Sequence, residues 1–147
     1  MLRYISHSEH DTEDFAQRFS QKLRPGDVIA YTGGLGMGKT AFTRGLARGL
    51  GCRGSVTSPT FAIVNRYEGE TPLNHFDMYR VEGFDSLYST GFFDYLDGAS
   101  ISAVEWSENI AAYLPENTIY INIRRIDDYT REITVTGDDR FAGNTWA

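Results

Sequence analysis

One segment of the chain has the residue types and the spacing needed to bind a nucleoside polyphosphate. Residues 33–40 read GGLGMGKT and match G-x-x-x-x-G-K-[ST] at every fixed position. Glycines let consecutive backbone N–H groups surround a phosphate, and a following helix adds a favourable dipole potential. Lys39 can then reach the β- and γ-phosphates, while the Thr40 hydroxyl can bind Mg²⁺. Because Lys39 is one of only two lysines in the chain, a glycine-rich turn without a ligand is the weaker interpretation.

The nature of the nucleotide is indicated by the residues after the loop. A GTPase would need an Asn/Thr-Lys-x-Asp element late in the chain, but no lysine follows Lys39, so ATP is favoured. A small-molecule kinase usually has a lid-sized insertion, and none stands out here. Two alternatives to an ATPase stay open: a module that assembles on binding nucleotide, and a small-molecule kinase.

Length and composition indicate one soluble globular domain. The chain has 147 residues, of which 41% are hydrophobic and 23% charged, and no apolar run approaches the roughly 18 residues that cross a bilayer. The single cysteine, Cys52, excludes an intramolecular disulfide and a cysteine metal cluster. A net charge of −6 argues against direct nucleic-acid binding, so any action on RNA should go through a partner. These features predict a cytoplasmic protein without a membrane segment.

Hydrophobic periodicity predicts alternating strands and helices that position the loop. The pattern favours an α/β sheet with an antiparallel margin. We expect one domain over residues 1–137 and a flexible C-terminal tail over 138–147. The predicted strands are 2–6, 27–32, 61–67, 73–77, 101–105, 118–125 and 131–136, and the predicted helices are 9–23, 41–50 and 108–114, with short helices within 84–96.

Three further segments make the pattern more specific. Residues 57–61 read TSPTF, residues 75–80 read HFDMYR and residues 104–106 read VEW. Together with the glycine-rich loop and an N-terminal helix that carries Thr12, this set resembles the TsaE family, the ATPase component of bacterial tRNA threonylcarbamoyladenosine synthesis. The resemblance covers about residues 3–136. It implies a P-loop NTPase-like three-layer sandwich with a mainly parallel central sheet.

The resemblance also implies an activity and its partners. It implies Mg²⁺-dependent hydrolysis of ATP to ADP and phosphate, in complex with TsaB- and TsaD-type proteins. The modified base is the adenosine next to the anticodon, and tRNA would be reached through those partners. Residues 57–60 would form a switch-like loop that senses the γ-phosphate.

Site residues are implied by the resemblance one by one. Thr40 and Glu105 would hold Mg²⁺, and Asp77 would be a second carboxylate near the metal or the attacking water. Lys39, Asp77 and Glu105 are thus the expected catalytic residues. The nucleotide would be held by Thr12, Gly34, Leu35, Gly36, Met37, Gly38, Lys39, Thr40, Ala41, Glu108 and Arg131.

Several of these positions have other interpretations. Glu105 could be an ordinary carboxylate at a strand end, and Asp77 a structural partner of His75 or Arg80. His75 itself is expected to be structural. The aromatic residues Tyr88, Phe92, Phe93 and Tyr95 are expected in the core or on a partner surface rather than as a platform for a base. The chain departs from the family pattern at Gly34, usually acidic, at Met37, usually smaller, and at Ser107, often proline.

Overall fold

The computed structural model describes residues 1–33, 38–54, 56 and 63–141. Seven strands form one mixed sheet in the order β1-β7-β6-β2-β5-β4-β3. The strands are β1 Leu2–Ser6, β2 Val28–Thr32, β3 Val64–Tyr67, β4 Leu73–Asp77, β5 Ile101–Glu105, β6 Ile119–Arg125 and β7 Arg131–Thr136. The α-helices are α1 Glu9–Ser20, α2 Lys39–Gly49, α3 Gly83–Ser89 and α4 Phe92–Tyr95, and 3-10 helices cover Ser107–Tyr113 and Asp139–Phe141.

The centre of the sheet is parallel and its margins are antiparallel. β2 lies between β5 and β6 and is parallel to both, and β4 is parallel to β5. At the edges, β3 pairs antiparallel with β4, β7 with β6, and β1 with β7. Parallel central strands are buried on both faces, which explains why β2, β4 and β5 are almost continuous runs of buried residues. The predicted α/β architecture is confirmed.

Helices α1 and α2 cover one face of the sheet. Phe15 and Phe19 of α1 are fully buried and in ring contact with Phe42 of α2. The two helices approach closely at Gly45, where a Cβ atom would lie 2.2 Å from the carbonyl oxygen of Glu13. Glycine at this position is therefore required by the helix–helix distance.

The opposite face is covered by α3, α4 and the 3-10 helix Ser107–Tyr113. Phe76, Met78 and Val104 from the sheet side pack with Leu87 and Phe92 of these short helices in a second core cluster. Helices on both faces of one sheet make the three layers that the sequence predicted. No helix in the described part of the chain combines the length and the apolar character needed to cross a bilayer.

The C-terminal segment differs from the prediction. The sequence predicts a flexible tail from residue 138, whereas the chain packs on the domain as far as Phe141. Phe141 is 1% exposed and stacks on Phe19 at 4.9 Å between ring centroids. Arg140 donates two hydrogen bonds of 2.9 Å to the carboxylate of Asp27. A buried ring and a bidentate ion pair hold this segment; residues 142–147 lie outside the described residues.

Element boundaries differ from the predicted ones by a few residues. Helix α1 ends at Ser20 rather than at residue 23, and the predicted helix at 108–114 is a 3-10 helix over Ser107–Tyr113. The strand predicted at 61–67 is observed over Val64–Tyr67, and residues 61 and 62 lie outside the described residues.

Candidate functional site

The glycine-rich segment leaves the carboxyl end of β2. Gly33 comes directly after this strand, at φ +107°, and a Cβ atom there would lie 2.6 Å from the carbonyl oxygen of Ile123. Only glycine satisfies both the backbone conformation and this close approach. Gly34, Leu35, Gly36 and Met37, four of the predicted phosphate-binding residues, lie outside the described residues.

Lys39 and Thr40 begin helix α2 at the far end of this segment. Gly38 precedes the helix in the left-handed conformation, and the first turn of α2 carries no acidic residue. The Lys39 side chain is largely buried, and its Nζ donates a hydrogen bond of 3.0 Å to the carbonyl oxygen of Gly33. The Lys39 ammonium group is therefore held beside Gly33. Lys39 is also the first residue of α2 and so lies at the positive end of its helix dipole.

Buried hydrogen bonds of Thr43 connect the first turn of α2 to strand β2. Thr43 donates its hydroxyl to the carbonyl oxygen of Lys39 at 2.8 Å, and its Oγ1 lies 2.7 Å from the hydroxyl of Tyr31. Burial raises the pKa of Tyr31 far above its ordinary value, so this hydroxyl stays neutral. These buried contacts give Lys39 a defined backbone position.

Glu105 ends strand β5, next to β2, and its side chain is 15% exposed. One of its carboxylate oxygens lies 2.6 Å from Nε2 of His75 in strand β4. His75 is fully buried, and its other ring nitrogen, Nδ1, has no hydrogen-bond partner among the described residues. The imidazole thus holds one oxygen of Glu105 and leaves the other available.

Asp77 stands directly opposite Glu105 in the register of the parallel pair β4–β5. Its Oδ1 accepts a hydrogen bond of 3.0 Å from the backbone N–H of Tyr79. The sequence left His75 or Arg80 as the candidate structural partner of Asp77. Among the described residues, Asp77 instead contacts the backbone of Tyr79 in a local turn, and His75 pairs with Glu105.

A cavity of about 580 Å³ brings most of the predicted residues together. Residues of the N-terminal helix, the phosphate loop, the predicted metal site and the late basic position line its walls, although they are up to 119 residues apart in the chain. The predicted residues that line it are Thr12, Gly38, Lys39, Thr40, Ala41, Glu105 and Arg131.

Two predicted residues stand apart from this cavity. Glu108 is exposed in the first turn of the 3-10 helix Ser107–Tyr113, and neither Glu108 nor Asp77 is among the described residues that line the cavity. The backbone turns sharply between Glu105 and Glu108, because Trp106 adopts φ 58°, the left-handed conformation that non-glycine residues rarely take. Residues 57–60, predicted to sense the γ-phosphate, lie outside the described residues.

Four residues on the cavity wall were missed by the prediction. Ser8 and Glu9 come from the start of α1, and Asp128 and Tyr129 from the turn between β6 and β7. In the sequence that turn is only a connection between two strands. Because β6 is parallel to β2 and extends to Arg125, its carboxyl end reaches the same edge of the sheet as Gly33, and the turn that follows it lines the cavity. The order of the strands in the sheet would have been needed to predict that this turn lines the cavity.

The turn between β6 and β7 is internally fixed. Asp127 accepts hydrogen bonds from the backbone N–H groups of Tyr129 and Thr130, and these bonds hold the pKa of its carboxyl below the ordinary value. Arg131 donates to the carbonyl oxygens of Asp127 and Thr130 at 2.8 and 3.2 Å. The turn therefore presents Tyr129, an exposed aromatic side chain, to the cavity on a rigid support.

The donor set in the cavity fits a metal ion bound together with a polyphosphate. Within the described residues, no group of three or more His, Cys, Asp or Glu side chains could hold a metal alone. Mg²⁺ needs only one or two protein ligands when phosphates and waters supply the others. A hydroxyl from Thr40 and a carboxylate oxygen from Glu105 line the same cavity as the Lys39 ammonium.

Comparisons with known proteins identify the family. A family described as "Threonylcarbamoyl adenosine biosynthesis protein TsaE" matches residues 6–133. A protein of Treponema pallidum named tRNA threonylcarbamoyladenosine biosynthesis protein TsaE is 37% identical over 91% of this chain and 99% of that protein. The Bacillus subtilis protein of the same name is 40% identical over 92% of this chain and 85% of that protein.

The fold has a solved counterpart. A crystal structure of Bacillus subtilis YdiB superposes with a TM-score of 0.74 and 35% sequence identity, covering 95% of this chain and 87% of the other. The glycine-rich loop, the buried lysine and the glutamate at the end of β5 are thus found in a chain that matches one family along nearly its whole length. The protein belongs to the TsaE family, whose members take part in tRNA threonylcarbamoyladenosine biosynthesis.

Proposed function

We propose that this protein is a Mg²⁺-dependent ATPase that hydrolyses ATP to ADP and phosphate in the cytoplasm, in complex with TsaB- and TsaD-type partners. The observation that carries the proposal is the shared cavity, which Lys39 and Thr40 at the start of α2 and Glu105 at the end of β5 line together. Each group is of the type that a metal–polyphosphate complex requires.

Lys39 supplies the positive charge for the β- and γ-phosphates. An ammonium group has three donors, and one of them is used by the carbonyl oxygen of Gly33. The remaining two can bind phosphate oxygens without releasing that anchor. The N-terminus of α2 adds its backbone N–H groups and its dipole to the same anion.

Thr40 and Glu105 would hold the metal ion, and His75 would orient Glu105 through its contact with one of the two carboxylate oxygens. Mg²⁺, when bound, neutralises charge on the phosphate oxygens. Asp77 is the second carboxylate of the proposed site, supported by its register position opposite Glu105. Because Asp77 is not a lining residue, it would act through a water molecule rather than on the nucleotide directly.

The protein alone should hydrolyse ATP slowly. Phosphoryl transfer is accelerated roughly 10³–10⁵-fold where an arginine stabilises the transition state. Among the described residues, Arg131 is the arginine that lines the cavity, and it donates to two carbonyl oxygens of its own turn. A partner that closes over the γ-phosphate should therefore raise the rate.

Phosphate release, measured with each component added in turn, tests the proposal. We expect weak release by the protein alone, stimulation when both partners are present, and little response to tRNA alone because of the net charge of −6. Cells that lack the protein should also lack the modified adenosine. Strong stimulation by tRNA alone, or normal modification in those cells, would contradict the assignment.

One substitution with a matched control connects the activity to the cavity. Glu105→Gln should spare ATP binding and abolish most Mg²⁺-dependent hydrolysis, whereas Glu116→Gln, at an exposed position, should leave both unchanged. Normal hydrolysis by Glu105→Gln would move the acidic role to Asp77. Transfer of phosphate to an added acceptor would indicate a kinase, and full function without hydrolysis would indicate an assembly module.

A further inference from the structure

The negative charge of the protein is concentrated in one part of the chain. Residues 79–116 contain seven carboxylates and a single basic residue, Arg80, so this segment carries a net charge of −6. The rest of the chain has thirteen acidic and thirteen basic residues and is neutral overall. The acidity of the whole protein is thus a local property of α3, α4 and the 3-10 helix Ser107–Tyr113 with their connections.

The same segment exposes an unusual number of aromatic rings. Tyr79, Phe84, Tyr88 and Tyr113 are 62%, 49%, 68% and 37% exposed. Phe84 lies 6.0 Å from Tyr88 and 5.6 Å from Tyr113, measured between ring centroids, and Tyr79 lies 4.8 Å from the ring of Trp106. We call these five residues the aromatic face.

A shallow depression lies beside one part of the aromatic face, at Tyr79 and Trp106. Its other lining residues are Arg80, Glu82 and Asn109. Asn109 donates to the carbonyl oxygens of residues 78 and 79, which ties the segment Ser107–Tyr113 to the end of β4. The segment that carries Tyr113 is therefore anchored to the backbone beside Tyr79.

Exposed carboxylates accompany these rings in the same segment of the chain. Glu82, Asp85, Asp94 and Glu108 are exposed, and none of them has an ion pair with any residue that the structure describes. Exposed rings that cluster in this way mark interaction sites, and aromatic residues supply much of the binding energy at protein interfaces. A rim of unpaired carboxylates favours a basic surface and repels RNA.

We propose that the aromatic face docks a protein partner whose surface presents lysine or arginine side chains around an apolar centre. The face starts where the candidate site ends: Tyr79 follows Asp77 by two residues, and Trp106 follows Glu105 directly. A partner that binds this face contacts Trp106, which adopts the left-handed conformation directly after Glu105. Binding of the partner can therefore change the position of the Glu105 carboxylate. The inference rests on the proposed function, and the partner it concerns is the TsaB- and TsaD-type pair.

Binding of the purified TsaB- and TsaD-type pair to the whole protein, measured by calorimetry or biolayer interferometry, tests the proposal. The double variant Phe84→Ser/Tyr88→Ser should weaken binding at least tenfold. The triple variant Glu82→Gln/Asp85→Asn/Asp94→Asn should lower the association rate several-fold and reduce its salt dependence. Both variants should keep the wild-type affinity for MgATP, since none of these residues lines the cavity.

Matched controls separate the face from general effects. Tyr120→Ser removes another exposed aromatic ring, on β6, and Glu68→Gln/Glu70→Gln removes carboxylates outside the acidic segment. Neither should change binding. If the wild-type protein binds the pair and the face variants bind it equally well, the aromatic face is not the docking site, while the proposed function stands. If the wild-type protein does not bind the pair at all, both fall. Loss of self-association by the face variants in sedimentation, with partner binding intact, would also overturn the proposal.

Discussion

Replacing His75 by leucine should separate the stability of the fold from the chemistry of the site. His75 is fully buried in β4, and its one recorded polar contact is the 2.6 Å pair with Glu105. Leucine is apolar and similar in size, so it fills the same space without any group that can hold the carboxylate. Glu105 would remain in place on β5 but would lose the contact that orients it.

The change in stability should be small because two terms oppose each other. Loss of a hydrogen bond to a charged group costs about 1.5–3 kcal/mol, towards the lower end here because the 15% exposed Glu105 can turn to water. Removal of Nδ1 of His75, a buried nitrogen without a partner in the described structure, recovers about 1–3 kcal/mol. We therefore expect the free energy of unfolding to change by less than about 1 kcal/mol.

The change in function should be larger. Groups that orient a metal ligand typically contribute about 10–100-fold to metal affinity or activity. We expect His75→Leu to weaken the Mg²⁺ dependence of nucleotide binding, and the rate of hydrolysis, by a factor in that range. His75→Gln, whose amide can still donate to Glu105, should restore part of the loss.

Urea unfolding and Mg²⁺ titration of nucleotide binding measure the two effects separately. His10→Leu is the matched control, because His10 is exposed and pairs only with Asp14 on α1. Destabilisation of His75→Leu by more than about 3 kcal/mol would refute the opposing-terms argument. An unchanged Mg²⁺ response would show that His75 does not orient Glu105.

Three other substitutions have defined outcomes. Lys39→Ala should weaken ATP binding by about ten- to a hundredfold in a calorimetric titration, since charge-assisted hydrogen bonds contribute about 1.5–3 kcal/mol, and Lys22→Ala should not. Gly45→Ala should lower the free energy of unfolding by about 2–3 kcal/mol, because its Cβ would lie 2.2 Å from a carbonyl oxygen of α1. Arg140→Leu should cost about 3 kcal/mol at neutral pH by leaving Asp27 buried and unpaired. The hydrogen bonds that Arg140 donates also lower the pKa of Asp138 from 3.8 to about 2. The free energy of unfolding of the wild-type protein should therefore fall as the pH drops from about 4 to about 2. Chemical denaturation of Arg140→Leu should not show this part of the pH dependence.

Much of the fold could be predicted from local pattern alone. The bounds predicted for Leu73–Asp77, Ile101–Glu105 and Arg131–Thr136 agree with the observed strands. Ile101–Glu105 is a mainly apolar run that ends in a carboxylate, and such runs favour buried parallel strands. The expectation that Glu105 acts beside the loop that begins at Gly33 came from the resemblance to the TsaE family.

Contacts between strands could not be predicted in this way, because they depend on the order and register of the sheet. His75 and Glu105 are 30 residues apart, and no local pattern links them. Once β4 lies parallel to β5 with His75 opposite Ala103, the two-residue period of a strand puts His75 and Glu105 on the same face, one step apart. A shift of one residue in that register would turn His75 to the other face and leave Glu105 without its partner. The orientation of the proposed metal ligand is thus decided by strand pairing, which is why the motif alone identified Glu105 but left His75 as a structural residue.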